Sequence, residues 1–267
     1  LNENEFNPNF KLNIKNVVYE KNQSKRNNYG ASRVISNFDN IFKYNFSKIK
    51  YFDQFEPEPI FIDKDLIFFD KKGSIIKFDD TSKILWKKNY YTKKEKKLLP
   101  ILKFTSNNDI LLITDSLANY YAIDIQTGEI LWKKIHKSIF ISEIKIDKEK
   151  FYVIDSDNII NCFSLKDGSK IWKFSSDNDL IKSQKKLSIV YDKKRVYFNN
   201  SRGDIYSLDK ENGSLLWLTP TRDDSESFQS FLLKTSKLVL DKNNLFFSNN
   251  KNNFFSLDSN TGVIQWT

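Results

Sequence analysis

Cysteine and histidine occur once each in this chain of 267 residues, and methionine not at all. The single cysteine, Cys162, excludes an intrachain disulfide and any multi-cysteine metal site. The single histidine, His136, excludes a histidine-cluster metal site and leaves few ways to build a nucleophile-His-acid triad. No run of 18 or more apolar residues exists, and Leu1-Asn2-Glu3-Asn4-Glu5 is not a basic segment leading into an apolar one. The sequence therefore reads as having neither a membrane-spanning helix nor a signal peptide. With no Met even at position 1, it is expected to be a processed or truncated product, whose missing beginning could have held a targeting segment.

Arginine is scarce too. It appears five times, so the net charge of +9 is carried by lysine, in a chain whose Lys, Asn, Ile and Phe content is that of an AT-rich genome. Arginine is the residue suited to bidentate phosphate and guanine contacts, so the charge alone is a poor argument for nucleic acid, and no nucleic-acid partner is expected. The densest basic run, Lys87–Lys97, is expected to be a solvated loop although aromatic residues lie within it. What the chain does have, 39% hydrophobic and 15% aromatic residues, is enough for a folded globular body.

The five tryptophans organise the rest. Trp86, Trp132, Trp172, Trp217 and Trp266 are separated by 46, 40, 45 and 49 residues, and Gly128, Gly168, Gly213 and Gly262 each stand four residues before one of them, with Ser82 before the first. Each repeat reads as four short strands, A to D; in the second these are Pro100–Thr105, Asp109–Thr114, Asn119–Asp124 and Ile130–Lys133. Strand C ends on Phe78, Ile123, Leu165, Leu208 and Leu257. Asp79, Asp124, Asp209 and Asp258 follow in four copies, and Lys166 in the third, which is expected to be two residues shorter and to turn at Asp167-Gly168. Asp63-Lys64, Asp147-Lys148, Asp192-Lys193 and Asp241-Lys242 mark a second turn, between A and B. Strands B and C are apolar on both faces, so each four-stranded meander has to be covered by its neighbours, and a radial stack of such sheets is a β-propeller. The fold class is therefore all-β, with about five blades. The repeats are expected at 58–88, 100–135, 141–174, 186–218 and 236–267. The Trp and Gly residues are expected to be structural, Cys162 to be a small core residue at the strand-C position of Ile75, Tyr120, Ile205 and Phe254, and His136 to lie at the surface.

The run Ala122-x-Asp124-x-x-Thr127-Gly128-x-x-x-Trp132 resembles the tryptophan-docking repeat of the PQQ-like propeller superfamily, with four further copies in register over about residues 58–267. That superfamily contains quinoprotein dehydrogenases, which bind pyrroloquinoline quinone and calcium, and non-catalytic members of the BamB type, lipoproteins of the outer-membrane β-barrel assembly machinery. The compact repeats look more like BamB, and the lone Cys162 cannot form the disulfide of adjacent cysteines that the dehydrogenases commonly carry. The resemblance implies a non-catalytic, protein-binding scaffold at the periplasmic face of the outer membrane. It would be a monomer within a complex, with no catalytic, cofactor or metal residues assigned, and would touch the membrane only through a missing lipid anchor. A PQQ-dependent dehydrogenase-like or cofactor-binding propeller is one alternative, and a generic peptide- or polymer-binding propeller another.

Residues 1–40 read as an extended polar leader, and 41–47 as a closing strand that resembles a D strand, with Phe42 near the Trp position. Counting D strands from Phe42 leaves a ring that has not closed, which raises the expectation of a longer protein with seven or eight blades. In propellers the D–A loops and B–C turns share one face. The longest such loop, Leu218–Ser236, supplies the candidate partner-binding residues Arg222, Phe228, Phe231, Leu232 and Leu233, which either anchor a partner or pack beneath the loop. No clear match to the Leu-and-Arg partner motif of BamB stands there.

Overall fold

The computed structural model describes residues 44, 47–49, 57–107, 109–176, 186–221, 236–249 and 253–267. Among these residues twenty strands form five four-stranded antiparallel sheets, each a meander in chain order. The first holds β1 (Ile60–Ile62), β2 (Asp65–Phe69), β3 (Ile75–Phe78) and β4 (Ile84–Lys88). A helix, α1 (Lys93–Lys97), precedes the second sheet, β5 (Leu102–Asn107), β6 (Ile110–Asp115), β7 (Asn119–Asp124) and β8 (Ile130–Ile135). The third is β9 (Lys145–Asp147), β10 (Lys150–Ile154), β11 (Ile159–Ser164) and β12 (Lys170–Ser175). The fourth is β13 (Ile189–Tyr191), β14 (Arg195–Asn199), β15 (Ile205–Asp209) and β16 (Leu215–Thr219). The fifth is β17 (Val239–Asp241), β18 (Asn244–Ser248), β19 (Phe254–Asp258) and β20 (Ile264–Trp266). The leader 1–40 and all of 41–47 except Tyr44 and Ser47 lie outside the described residues.

The sheets are blades of a propeller. First strands of neighbouring blades lie side by side, β1 by β5, β5 by β9 and β13 by β17, while the fourth strands carry half-exposed aliphatic residues such as Leu85, Leu131 and Leu216. Core therefore forms between blades, and the two-residue period of the middle strands decides which neighbour each side chain meets. In β6, Leu111 and Ile113 join Ile67, Phe69 and Ile75 of blade one, whereas Leu112 joins Phe151, Val153 and Phe163 of blade three. Full burial of each such residue is worth about 1.5–3 kcal/mol against leaving it exposed.

Strand pairing corrects the alignment of the third copy. Ser164 N–H donates to Ser169 O as Asp124 N–H donates to Glu129 O, and Gly168 and Gly128 donate to Ser164 O and Asp124 O in the same way. The third C–D turn thus has the same length as the second. Phe163, not Leu165, is the last residue of β11 paired to β12, Ser164 takes the Asp place, and the Asp167-Gly168 pair is the end of a longer turn and not a two-residue hairpin. The same register moves Cys162. It pairs across from Trp172, as Lys77, Ala122, Ser207 and Ser256 pair across from the other tryptophans. A two-residue offset keeps a side chain on the same face, so Cys162 is still core: it is fully buried, and burial pushes its thiol up to about 12.

The C–D turns of blades one, two, three and five hold carboxyls below the ordinary range. Thr127 N–H and Thr261 N–H lower Asp124 and Asp258, the Thr81 hydroxyl lowers Asp79, and Ser169 N–H lowers Asp167 to about 2. A carboxyl whose folded value lies below its unfolded one stabilises fully above the unfolded value, near pH 4, and loses that contribution as pH falls through the folded one. Combined Asp79→Asn, Asp124→Asn and Asp258→Asn, which keeps the accepting oxygens, is expected to flatten the decline in Tm between about pH 4 and pH 2. Profiles of the same slope in variant and parent would contradict this.

Candidate functional site

The two ends of the propeller differ in construction. At the end bearing the A–B and C–D turns, each blade receives the tryptophan of the blade before it. The indole N–H groups of Trp86, Trp132, Trp172 and Trp217 donate to the carbonyls of Ile125, Leu165, Lys210 and Ser259 at 3.1, 2.9, 3.1 and 3.1 Å. The N–H of each accepting residue is itself bound to an A–B turn carbonyl of its own blade, those of Asp109, Glu149, Lys194 and Asn243. Gly128, Gly168, Gly213 and Gly262 lie under the indoles with φ of 69°, 67°, 74° and 74°. A Cβ there would come within 2.5–3.0 Å of the ring, so glycine serves both a left-handed backbone and a close approach.

Blade one departs from this pattern. Its C–D turn closes from Asp79 N–H to Lys83 O, one residue shorter than the others, and Ser82 takes the left-handed position at φ 67°. That turn lacks one of the residues that separate Asp124 from Gly128 in blade two. Tyr44 occupies that side instead, edge-on to Phe78 at 5.4 Å and against Leu66 and Ile76.

The opposite end, formed by the B–C turns and D–A loops, is tied by polar side chains. Asp70, Asp115, Asp155, Asn200 and Asn249 open the five B–C turns, and the Oδ1 of each accepts from backbone N–H groups inside the turn at 2.8–3.1 Å. These residues stand 17 before the last four tryptophans and 16 before Trp86, a second periodic signal that the reading of the sequence missed. Asn158 Oδ1 accepts from Ser201 N–H and Oγ at 3.1 and 2.5 Å, joining the turns of blades three and four. His136 Nε2 lies 3.0 Å from Asp155 Oδ2 and stacks on Phe140 at 4.7 Å. Its side chain is 11% exposed, so His136 is not the surface residue expected but part of a contact from blade two to blade three.

The first D–A loop is ordered throughout. Asn89 Nδ2 donates to Lys72 O and Ser74 Oγ, and Asn89 Oδ1 accepts from Tyr91 N–H. Buried Tyr91 donates to Asp115 Oδ2 at 2.6 Å and packs on the turn at Gly73, where a Cβ would meet its ring and Pro100 at 2.6 Å. Burial pushes both phenols of the Tyr91–Tyr121 pair, and the Asp115 carboxyl, above their ordinary values. Lys133 Nζ donates to Tyr90 O at 3.1 Å and lies over the Tyr91 ring at 5.1 Å. Thr92 and Glu95 cap α1 reciprocally: Glu95 Oε2 accepts from Thr92 N–H at 2.7 Å, and Thr92 Oγ1 from Glu95 N–H at 3.3 Å. The basic run Lys87–Lys97 is thus the end of β4, an anchored loop and a capped helix, and not the solvated loop expected.

Residues at or just before the first strands bring charges together. Lys145 is fully buried against Glu143 at 3.1 Å, and burial holds its ammonium below the ordinary lysine value. Glu58 of blade one pairs with Lys186 at 3.2 Å and Lys237 at 3.8 Å, in the approaches to blades four and five. Among the described residues no group of three or more His, Cys, Asp or Glu could hold a metal ion. The candidate residues Arg222, Phe228, Phe231, Leu232 and Leu233 lie outside the described residues.

The sequence model of a family described as outer membrane protein assembly factor BamB matches residues 71–267. No curated protein matches the chain significantly by sequence. Among solved structures, BamB from Moraxella catarrhalis is similar with a TM-score of 0.66 at 16% identity, covering 79% of this chain and 63% of that one. The computationally designed protein Ika8 gives 0.60 at 15% identity, with 79% and 60% covered. A quinohemoprotein alcohol dehydrogenase from Pseudomonas putida HK5 gives 0.55 at 12% identity, with 78% and 41% covered. The chain spans less than two thirds of the length of each of these structures, and at such identities the likeness is one of fold.

Proposed function

The chain belongs to the family described as outer membrane protein assembly factor BamB, and from that membership we propose that it is a non-catalytic scaffold that binds a protein partner of the outer-membrane β-barrel assembly machinery at the periplasmic face. The observation that carries this reading is the contrast between the two ends of the propeller. The described tryptophans of blades one to four and the turn glycines facing them are committed to joining blades, while at the other end the first D–A loop and the described B–C turns are pre-ordered by side-chain hydrogen bonds. A pre-ordered surface loses little conformational freedom when a partner docks. Arg222, Phe228, Phe231, Leu232 and Leu233, in the longest D–A loop, are proposed to contribute to that surface.

Cross-linking in cells followed by affinity capture of the tagged chain tests the proposal. The expected result is recovery of an outer-membrane barrel-assembly subunit, lost when Phe231 and Leu232 are both replaced by Asp while the far-ultraviolet circular dichroism is unchanged. Recovery of only unrelated proteins would overturn the assembly role, and undiminished recovery by the variant would remove the loop. A quinone-dependent reading competes through the superfamily alone. Cys162, fully buried across from Trp172, has the place of a packing residue. The absorbance spectrum of the purified chain is expected to stay unchanged on adding pyrroloquinoline quinone and calcium.

A further inference from the structure

The ordered basic rim where blade one meets blade two is the strongest unexplained feature of the D–A face. Lys93, Lys94 and Lys97 are exposed on α1, Lys96 is half-buried, and Lys71 and Lys72 are exposed on the B–C turn to which Asn89 ties the loop. No ion pair joins any of these six lysines to a carboxylate among the described residues, although the nearby acids all have partners. Asp70 is bound by Lys87 at 2.9 Å and by its own turn, Glu95 closes the cap of α1, and Asp115 is buried beneath Tyr91. Beside the lysines Leu98 is 65% exposed. The lysines are also held in place, because Tyr91, Gly73 and the reciprocal cap fix the loop beneath them.

We propose that this rim is a docking surface for an acidic segment of a protein partner that also carries an apolar side chain for Leu98. This rests on the scaffold reading and names the chemistry of the partner. Charge complementarity argues for acidic side chains: like charges held together repel one another, and an incoming carboxylate relieves that repulsion. Nucleic acid fits less well, because the rim has no arginine and Tyr90 and Tyr91 are turned into the blade joint and the core, leaving among the described residues of the rim no ring on which a base can stack. An anionic bilayer fits less well too, since one exposed leucine on a five-residue helix is not the broad apolar face of an interfacial helix.

Fluorescence anisotropy with a labelled peptide of glutamates flanking a leucine tests the proposal on the full chain. Binding is expected to weaken steeply as salt rises through the range where the Debye length falls below about 10 Å. Combined Lys93→Gln, Lys94→Gln and Lys97→Gln is expected to weaken it at least about tenfold, and Leu98→Ser about threefold without changing the salt slope. The control pair Lys83→Gln and Lys166→Gln, in C–D turns at the other end of the propeller, should bind as the parent does. Equal binding by the triple variant would overturn the proposal, as would tighter binding of phosphatidylglycerol vesicles or single-stranded DNA than of the peptide. If the peptide fails while barrel-assembly capture succeeds, the rim alone is wrong. If the peptide binds at the rim while capture fails, the assembly role falls and the rim stands.

Discussion

Replacing Gly213 with alanine is expected to destabilise the protein by about 3 kcal/mol, seen as a lowered urea midpoint. Two costs add. The residue sits at φ 74°, where an L side chain costs about 1 kcal/mol, and its new Cβ would stand 2.5 Å from Cε3 and 2.7 Å from Cδ2 of Trp172. The ring has no room to retreat, because Trp172 is 8% exposed and its N–H is bound to Lys210 O. Gly128→Ala is the control: φ there is 69°, but the nearest Trp86 atoms lie at 3.0 Å and Trp86 is half-buried, so a loss of about 1–2 kcal/mol is expected. Equal losses at the two positions would mean that backbone conformation, and not the approach of the indole, fixes these glycines.

Trp172→Ala is expected to cost about 3–5 kcal/mol, the range for emptying a large buried aromatic site. The loss combines packing against Tyr152, whose ring centroid lies 5.8 Å away, with a buried carbonyl at Lys210 left without its donor. Trp172→Phe keeps most of the volume and removes the donor, so about 1–2 kcal/mol is expected. Trp266 has the same place in its repeat, yet it is 48% exposed and no described carbonyl accepts from its N–H, so Trp266→Ala should cost less than about 1 kcal/mol. Thermal melts of the three variants provide the check, and a Trp266 variant as damaged as Trp172→Ala would refute the assignment of the indole to the joint with the next blade.

The period of the propeller was legible because tryptophan and glycine are used for their shapes. A large flat donor and a residue without Cβ have no substitutes at a close joint, so Trp132 and Gly168 stand out in the bare chain. The residue that accepts the indole proton was not legible. Ile125, Leu165, Lys210 and Ser259 share a carbonyl and nothing else, and a backbone group leaves no trace in side-chain identity. Leu165 reads as a strand end in the sequence because Ser164 stands where the other copies carry the turn Asp. The B–C turns were hidden differently: Asp and Asn interchange at the first position, and Gly73, Ala118, Asn158 and Gly203 share the left-handed one, so the signal is spread over several letters. The candidate site was the least legible. Whether Lys93–Lys97 forms a loose loop or a fixed rim depends on Tyr91 reaching Asp115, a contact across 24 residues that no local pattern announces.

The residue absent from the first C–D turn matters when copies of the chain meet in solution. A contact in which one unit gives an indole and the next receives it runs head to tail, and such contacts build fibres when they do not close. In blade five Trp266 lies tilted against Phe246 and Phe254. The receiving side of blade one carries Ser82 where a glycine would admit the ring, and is already covered by Tyr44. The shortened turn thus makes blade one a poor acceptor for an indole from another copy of the chain.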